Sequence, residues 1–188
     1  MPWECSESNL GVCVIQCCMH GRPDSTEAAS YYFTYINQVP GEDALPVIEQ
    51  QLDDVVNLGS SISEEKSSYR YAPEKWSIRQ VLNHVTDTER AFAFRALWFA
   101  RGFSSPLPDY DQNIAAAGAE ADSIPWADHI EEFRRVRLAT ISLFRNLPHD
   151  AWMRAGIASN NRFTVRAMAF ITAGHVEHHL KVLRERYL

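Results

Sequence analysis

The segment AGHVEHHL, Ala173 to Leu180, carries three histidines and a glutamate within eight residues. Read as a helix, positions 168, 171, 175, 179, 182 and 186 share one face, occupied by Met168, Ile171, His175, His179, Val182 and Arg186. His175 and His179 interrupt the apolar stripe at its middle. Two neutral imidazoles four residues apart stack on one helix face and can point at one ion. They can equally be polar residues satisfied inside a bundle. The spacing lacks the glutamate of H-E-x-x-H, so it is not that protease signature. Glu177 falls on the opposite side and His178 at the margin. A third imidazole from another helix would complete a facial site with open positions for water or substrate. NHVTDTER offers one: His84 lies on the flank of an apolar face, with Thr88, Ala91 and Arg95 along the same edge. His20, His129, His149 and His178 have no comparable support and read as surface or helix-flank residues.

Further residues could serve such a site. Arg137 falls within the stripe of Phe133, Ile141 and Phe144, and a buried arginine is costly unless paired. It reads either as a salt-bridge partner of Asp87 or another carboxylate, or as an anchor for an anionic substrate group. Asp87, one turn beyond His84, either orients an imidazole from behind or is a solvated surface residue. PDYDQ, Pro108 to Gln112, could fold over the mouth of the site, with Tyr110 and Asp111 in the pocket. Phe92, Trp98 and Phe99 read as core.

The elements that must position these residues are helices. A short one covers Thr26 to Ile36. The first long helix starts near Asp43 and ends at Gly59-Ser60-Ser61, with the stripe Leu45, Ile48, Leu52, Val55 and Val56. Ser77 and Gln80 have the spacing of a capping box and open the second, which runs to about Arg101 with Gly102 behind it. Its strongest face carries Ile78, Val81, Val85, Phe92 and Phe99. A connection from Gly102 to Ile124 follows, long enough to be a functional or crossover segment. The third long helix spans Pro125 to Asn146, and the last begins after Thr164. No strand-like alternation stands out. Four long helices with apolar stripes predict an all-α four-helix bundle. Gly174, unfavourable inside a helix, would let another element approach beside the histidines.

With 188 residues, 46% hydrophobic and 22% charged, the sequence describes one globular domain. A net charge of -6 gives no electrostatic reason to expect nucleic acid or an anionic membrane as partner. No apolar run reaches a membrane span, and Leu10 to Cys18 lacks the flanks of a secretion signal, so a cytoplasmic location is expected. Cys5, Cys13, Cys17 and Cys18 all fall in the first 18 residues, which is neither a disulfide framework nor a common zinc pattern. Residues 1–25 read as an unstructured leader, with Met19 as an alternative start, and 26–188 as the domain.

RYAPEKWSIRQVLNHVTDTERAFAFRALWFARG, PLPDYDQ, EEFRRVRLATISLF and AGHVEHHLKVLRERYL together resemble the DinB-like superfamily, the DinB/YfiT-like group of metalloenzymes. The resemblance covers about Glu27 to Leu188. It implies a bundle running up-down-down-up, with the Gly102 to Ile124 connection as the crossover between the second and third helices. It also implies a divalent metal on His84, His175 and His179, with zinc, nickel and iron all compatible with imidazole donors. Relatives include thiol transferases and a thiol-dependent isomerase. The resemblance thus implies an enzyme that activates a low-molecular-weight thiol or water: a thiol transferase, or alternatively a hydrolase. A non-catalytic metal-binding bundle is the reading from another class. The bundle holds no cysteine, so a thiol would come from the substrate. Relatives are often dimers, which implies a homodimer here.

Overall fold

The computed structural model describes residues 21–188. The cysteine segment, Met19 and most of the expected leader lie outside them. Within the leader's described part, the Arg22 side chain donates to the carbonyls of Ile36, Val39 and Gly41. That residue is therefore tied to the body.

A short helix α1 (Phe33–Ile36) precedes four long ones: α2 (Leu45–Ser60), α3 (Ile78–Ala100), α5 (Trp126–Arg145) and α6 (Val165–Arg186), with a small α4 (Gln112–Gly118) between α3 and α5. Local chemistry sets the ends. The Ser77 hydroxyl accepts from the Gln80 amide while the Gln80 side chain accepts from the Ser77 amide, the reciprocal capping box expected. Thr164 caps α6 by accepting from Ala167. The carboxylate of Asp43, the expected helix start, accepts from the Leu45 amide, where α2 begins two residues later. Gly102, at φ 79°, closes α3.

Contacts between helix ends give their directions. The Trp126 indole, at the start of α5, donates to Gly59 O near the end of α2, and Arg145 at the other end pairs with Glu49 at 2.7 Å. So α2 and α5 are antiparallel. Arg79 near the start of α3 donates to Ile124 O just ahead of α5, which makes those two parallel. The Tyr187 hydroxyl, beyond the end of α6, donates to Trp76 O just ahead of α3, which makes those two antiparallel. The order is up-down-down-up, a four-helix bundle as expected. Because α3 and α5 are parallel neighbours, the chain between them must return along the length of α3. That explains the crossover.

The core has two adjoining parts, one around Ile48, Phe99, Phe144, Phe170 and Ile171, the other around Ile78, Val81, Phe133, Val176 and Leu180. Between them lies a buried ion pair: Arg137 Nη2 stands 2.7 Å from Glu89 Oε2, with side chains 0% and 1% exposed. Arg137 Nη1 also donates to Gln51 Oε1, and Gln51 Nε2 to Ala173 O. One polar chain thus joins all four long helices. Arg137 pairs with Glu89 rather than with Asp87, which pairs instead with Arg90 on the outer side of α3.

One element departs from the all-helical expectation. Strands β1 (Ala155–Ala158) and β2 (Asn161–Thr164) form a hairpin in the register Ala155↔Thr164 to Ala158↔Asn161. Ser159 and Asn160 at the turn both have positive φ, as a two-residue hairpin loop requires. Leu107 of the crossover bonds to the outer edge of β1. Gly156 lets the hairpin lie on Phe99, because a Cβ there would stand 2.0 Å from the ring. His129, expected at the surface, is buried at 1% exposure, and its Nε2 pairs with Ala121 O at 2.9 Å. Among the described residues, no helix is long and apolar enough to cross a membrane.

Candidate metal centre

The second turn of α3 and the middle of α6 meet near one end of the bundle. His84 stands on the first, His175 and His179 on the second. His84 Nε2 lies 3.1 Å from His175 Nε2, and His179 Nε2 lies 3.1 Å from the same atom. The three donor nitrogens all fall within 4.8 Å of one another, and His84 and His175 are buried. Among the described residues this is the one group of three or more metal-ligating side chains so arranged.

The spacing can be tested against a metal. Three nitrogens each about 2.0–2.1 Å from a tetrahedral ion stand roughly 3.3 Å apart. The two separations from His175 Nε2, 3.1 Å each, are close to that value. Hydrogen bonding alone does not account for them. The outward lone pair of His175 Nε2 accepts one good bond, or its proton donates one, yet two imidazole nitrogens approach it equally closely. A cation shared by three lone pairs satisfies all of them.

Burial also keeps the donors neutral. It holds the His84 imidazole down at about 4, with the nearby His178 adding to the effect. It holds His179 at about 3, assisted by His84 and His178. His175 is lowered well below the ordinary range, by burial first and then by its histidine neighbours. Near neutral pH all three rings therefore present lone pairs, the state a metal requires.

The surroundings fix the rings. Thr88 Oγ1 lies 3.3 Å from His84 Nδ1, one turn along α3. Thr88 thus stands behind the imidazole where Asp87 was considered. Trp76 covers His84 at 4.9 Å between ring centroids, and Tyr35 meets His175 edge-on at 5.4 Å. Gly174 permits that approach: a Cβ there would come within 2.1 Å of Tyr35 O. His178 sits at the margin between Tyr35 and His179, outside the group of three.

A cavity of about 270 Å³ opens beside the group and includes His84 and His175 in its wall. Thr88, Phe92 and Arg95 continue that wall along α3, while Tyr31, Tyr32 and Tyr35 face them from the N-terminal side. Tyr110 and Asp111 of the crossover line it as well. The Tyr110 hydroxyl is buried beside Thr88, and burial raises its pKa. Asp111 is exposed and caps α4, accepting from the Asn113 and Ile114 amides. Arg137 does not line the cavity. It is enclosed against Glu89, so the structure gives it the ion-pair role and not that of a substrate anchor. A second cavity of about 290 Å³ touches His179 from the other side, between Trp76 and Tyr187.

Sequence reasoning missed the tyrosines of the N-terminal segment and Ser159 of the hairpin turn, which also lines the cavity. No periodic signal in the short segment from Ser30 to Ile36 points inward. Arg95 was noted only as sharing an edge with His84.

The same architecture is found in solved structures. YfiT from Bacillus subtilis, described as a probable metal-dependent hydrolase with an unusual four-helix bundle topology, is 15% identical. The match covers 86% of this chain and 91% of that one, with a TM-score of 0.62. The mycothiol-dependent maleylpyruvate isomerase is 13% identical at a TM-score of 0.63, over 77% of this chain and 61% of that one. At such identities the likeness concerns the fold. No curated protein sequence matches the chain. The sequence profile of the DinB superfamily, however, matches residues 48–183, from the start of α2 almost to the end of α6 and through all three histidines, and on that match the chain belongs to the DinB superfamily.

Proposed function

We propose that this protein is a metal-dependent enzyme that activates a low-molecular-weight thiol on His84, His175 and His179, for transfer to an electrophilic small molecule. The observation that carries the reading is the convergence of three neutral imidazole nitrogens, with His84 and His175 buried in the wall of a cavity and His179 half-buried beside them. A divalent ion held there supplies a positive centre that favours deprotonation of a thiol or water brought against it. The chain's own residues do the rest. Thr88 orients His84. The tyrosines and the crossover exclude bulk water, and Tyr110 and Asp111 meet the substrate from above. No cysteine occurs in residues 21–188, so the sulfur comes from the substrate. The dependence of the isomerase of similar fold on mycothiol supports a thiol.

Hydrolysis is the second reading, supported by the description of YfiT. It uses the same donors with water in place of the thiol. A purely structural metal site fits less well, because such a site is closed by its protein ligands whereas a cavity adjoins this one.

Metal analysis of tag-free protein, followed by cobalt substitution, tests the reading. Each of His84→Ala, His175→Ala and His179→Ala should strongly reduce metal content, and His178→Ala should not. A thiol should change the cobalt spectrum by sulfur ligation and support turnover with an electrophile. If no thiol ligates while simple esters or amides are hydrolysed, the transferase reading fails and the hydrolase reading takes its place. Protein that retains no metal would refute both.

A further inference from the structure

Three arginines are buried in the described structure: Arg79, Arg95 and Arg137. Two have carboxylate partners. Arg79 pairs with Glu64, and Arg137 with Glu89. Arg95, 5% exposed, has none within ion-pairing distance among the described residues. Its Nη2 reaches only Ser159 Oγ at 3.0 Å and Pro108 O at 3.3 Å, and the side chain also bonds the Tyr32 hydroxyl. A guanidinium cannot lose its proton to relieve burial, so a buried one without a counter-anion is unfavourable. Unlike Arg79 and Arg137, Arg95 lines the cavity that holds His84 and His175.

The cavity also contains two carboxylates, and neither pairs directly with Arg95: Asp109, held low first by its bond from Ser159 and also by the Arg95 charge, reaches the guanidinium only through the Ser159 hydroxyl. Asp109 is exposed at the mouth, where its Oδ1 accepts from Ser159 Oγ and from the Tyr110 amide. Asp111 is exposed as well and is engaged in capping α4. Both hold the crossover in shape. One fixed cation with acidic groups at the rim suits a planar monoanion better than a phosphate dianion.

Position adds a length. His84, Thr88 and Arg95 follow one another along the same face of α3. The eleven helical steps from His84 to Arg95 span roughly 16 Å. Long helical side chains lean toward the N-terminus, which brings the guanidinium back toward the histidines.

We propose that Arg95 is the specificity-determining residue of this cavity and anchors the carboxylate of an elongated small-molecule substrate whose other end lies at the three histidines. This rests on the metal-centre reading for the reacting end only. The anionic end is recognised by Arg95 with Tyr32 and Ser159 around it.

The test uses 8-mercaptooctanoate and its neutral isostere 8-mercaptooctanamide on the cobalt-loaded full chain. The wild type should bind the acid at least about 10-fold tighter than the amide, as charge-assisted pairing implies. In Arg95→Met that preference should vanish with cobalt content unchanged, and Arg95→Lys should retain part of it. Should Arg95→Met not fold, the Arg95→Lys ratio decides, and it must fall below that of the wild type. An undiminished preference in the variants, or none in the wild type, overturns the proposal. Stronger Arg95-dependent binding of inorganic phosphate than of octanoate would overturn the carboxylate assignment. If the thiols leave the cobalt spectrum unchanged, the thiol reading fails by itself, because octanoate against octanamide on metal-free protein still reads Arg95.

Discussion

Removing Arg137 converts a buried ion pair into a buried carboxylate, and the cost has a pH dependence that the structure sets. Glu89 is 1% exposed, and burial already pushes its carboxyl above the ordinary value of 4.5, with Arg137 opposing. In Arg137→Met the opposing cation is gone, so Glu89 takes up a proton in the folded state and keeps it through neutral pH. The unfolded chain releases that proton above 4.5. The unfolded state therefore binds fewer protons than the folded state, and stability falls as pH rises. At 1.36 kcal/mol per pH unit, the loss is near zero at pH 4.5 and about 3 kcal/mol at pH 7. That corresponds to a melting temperature lower by roughly 6–12 °C for a chain of this size. Glu89→Gln should cost more, about 3–5 kcal/mol at either pH, because the stranded guanidinium cannot neutralise itself. Replacing both, as Glu89→Leu with Arg137→Met, should return most of the loss. Urea denaturation of the four proteins at pH 5 and pH 7 measures each quantity. A flat pH response in Arg137→Met, or a double variant as unstable as the sum of the singles, would refute the account. Metal content should be the same in all four, since Arg137 does not line the metal-centre cavity.

Three further outcomes are expected. Thr88→Val should lower metal affinity by about 10-fold or more, the usual effect of losing a group that orients a histidine ligand, and equilibrium dialysis would show it. Gly174→Ala gains about 1 kcal/mol of helix propensity, yet its Cβ would meet a backbone carbonyl at 2.1 Å. It should destabilise overall and shift Tyr35, detectable as an altered tyrosine signal on metal addition; a stabilised variant would contradict the geometry. In metal-free protein His84, held at about 4 against 6.5 in the unfolded chain, should reduce stability as pH falls below 6.5, by about 2 kcal/mol at pH 5. His84→Ala should remove that share of the slope in urea titrations, leaving the part that the lowered His175 and His179 contribute.

Residues that act through their own helix were legible before the fold was known. The Ser77 capping box, the stripe through His175 and His179 and the ends of α5 depend on contacts within a few residues, and each appears as read. The need for a crossover was legible too, from its length. Less visible was anything made by pairing across the chain. Arg137 was recognised as an interruption of an apolar stripe. Its partner Glu89 interrupts the stripe of α3 in the same way, between Val85 and Phe92, and that shared signature would have selected it over Asp87. The hairpin was missed because its strands are four residues long and its turn, Ser159-Asn160, lacks the usual glycine. His129 is buried by the crossover's Ala121, a contact that no helical periodicity predicts.

The parallel run of α3 and α5 has a bearing on how recognition is organised. A connection between parallel neighbours must travel back roughly 34 Å, the length of 23 helical residues. Here it carries Asp109, Tyr110 and Asp111 across the face of α3 that bears His84. The imidazoles stand on two helices braced by the core, whereas most of the ring and hydroxyl groups facing them come from the N-terminal segment, this return segment and the hairpin turn. Apart from Thr88, Phe92 and Arg95, which share α3 with His84, the groups lining the chamber therefore sit in parts of the chain separable from the imidazole cluster. Grafting a different return segment between Gly102 and Ile124 changes what the chamber admits and leaves the imidazole cluster standing.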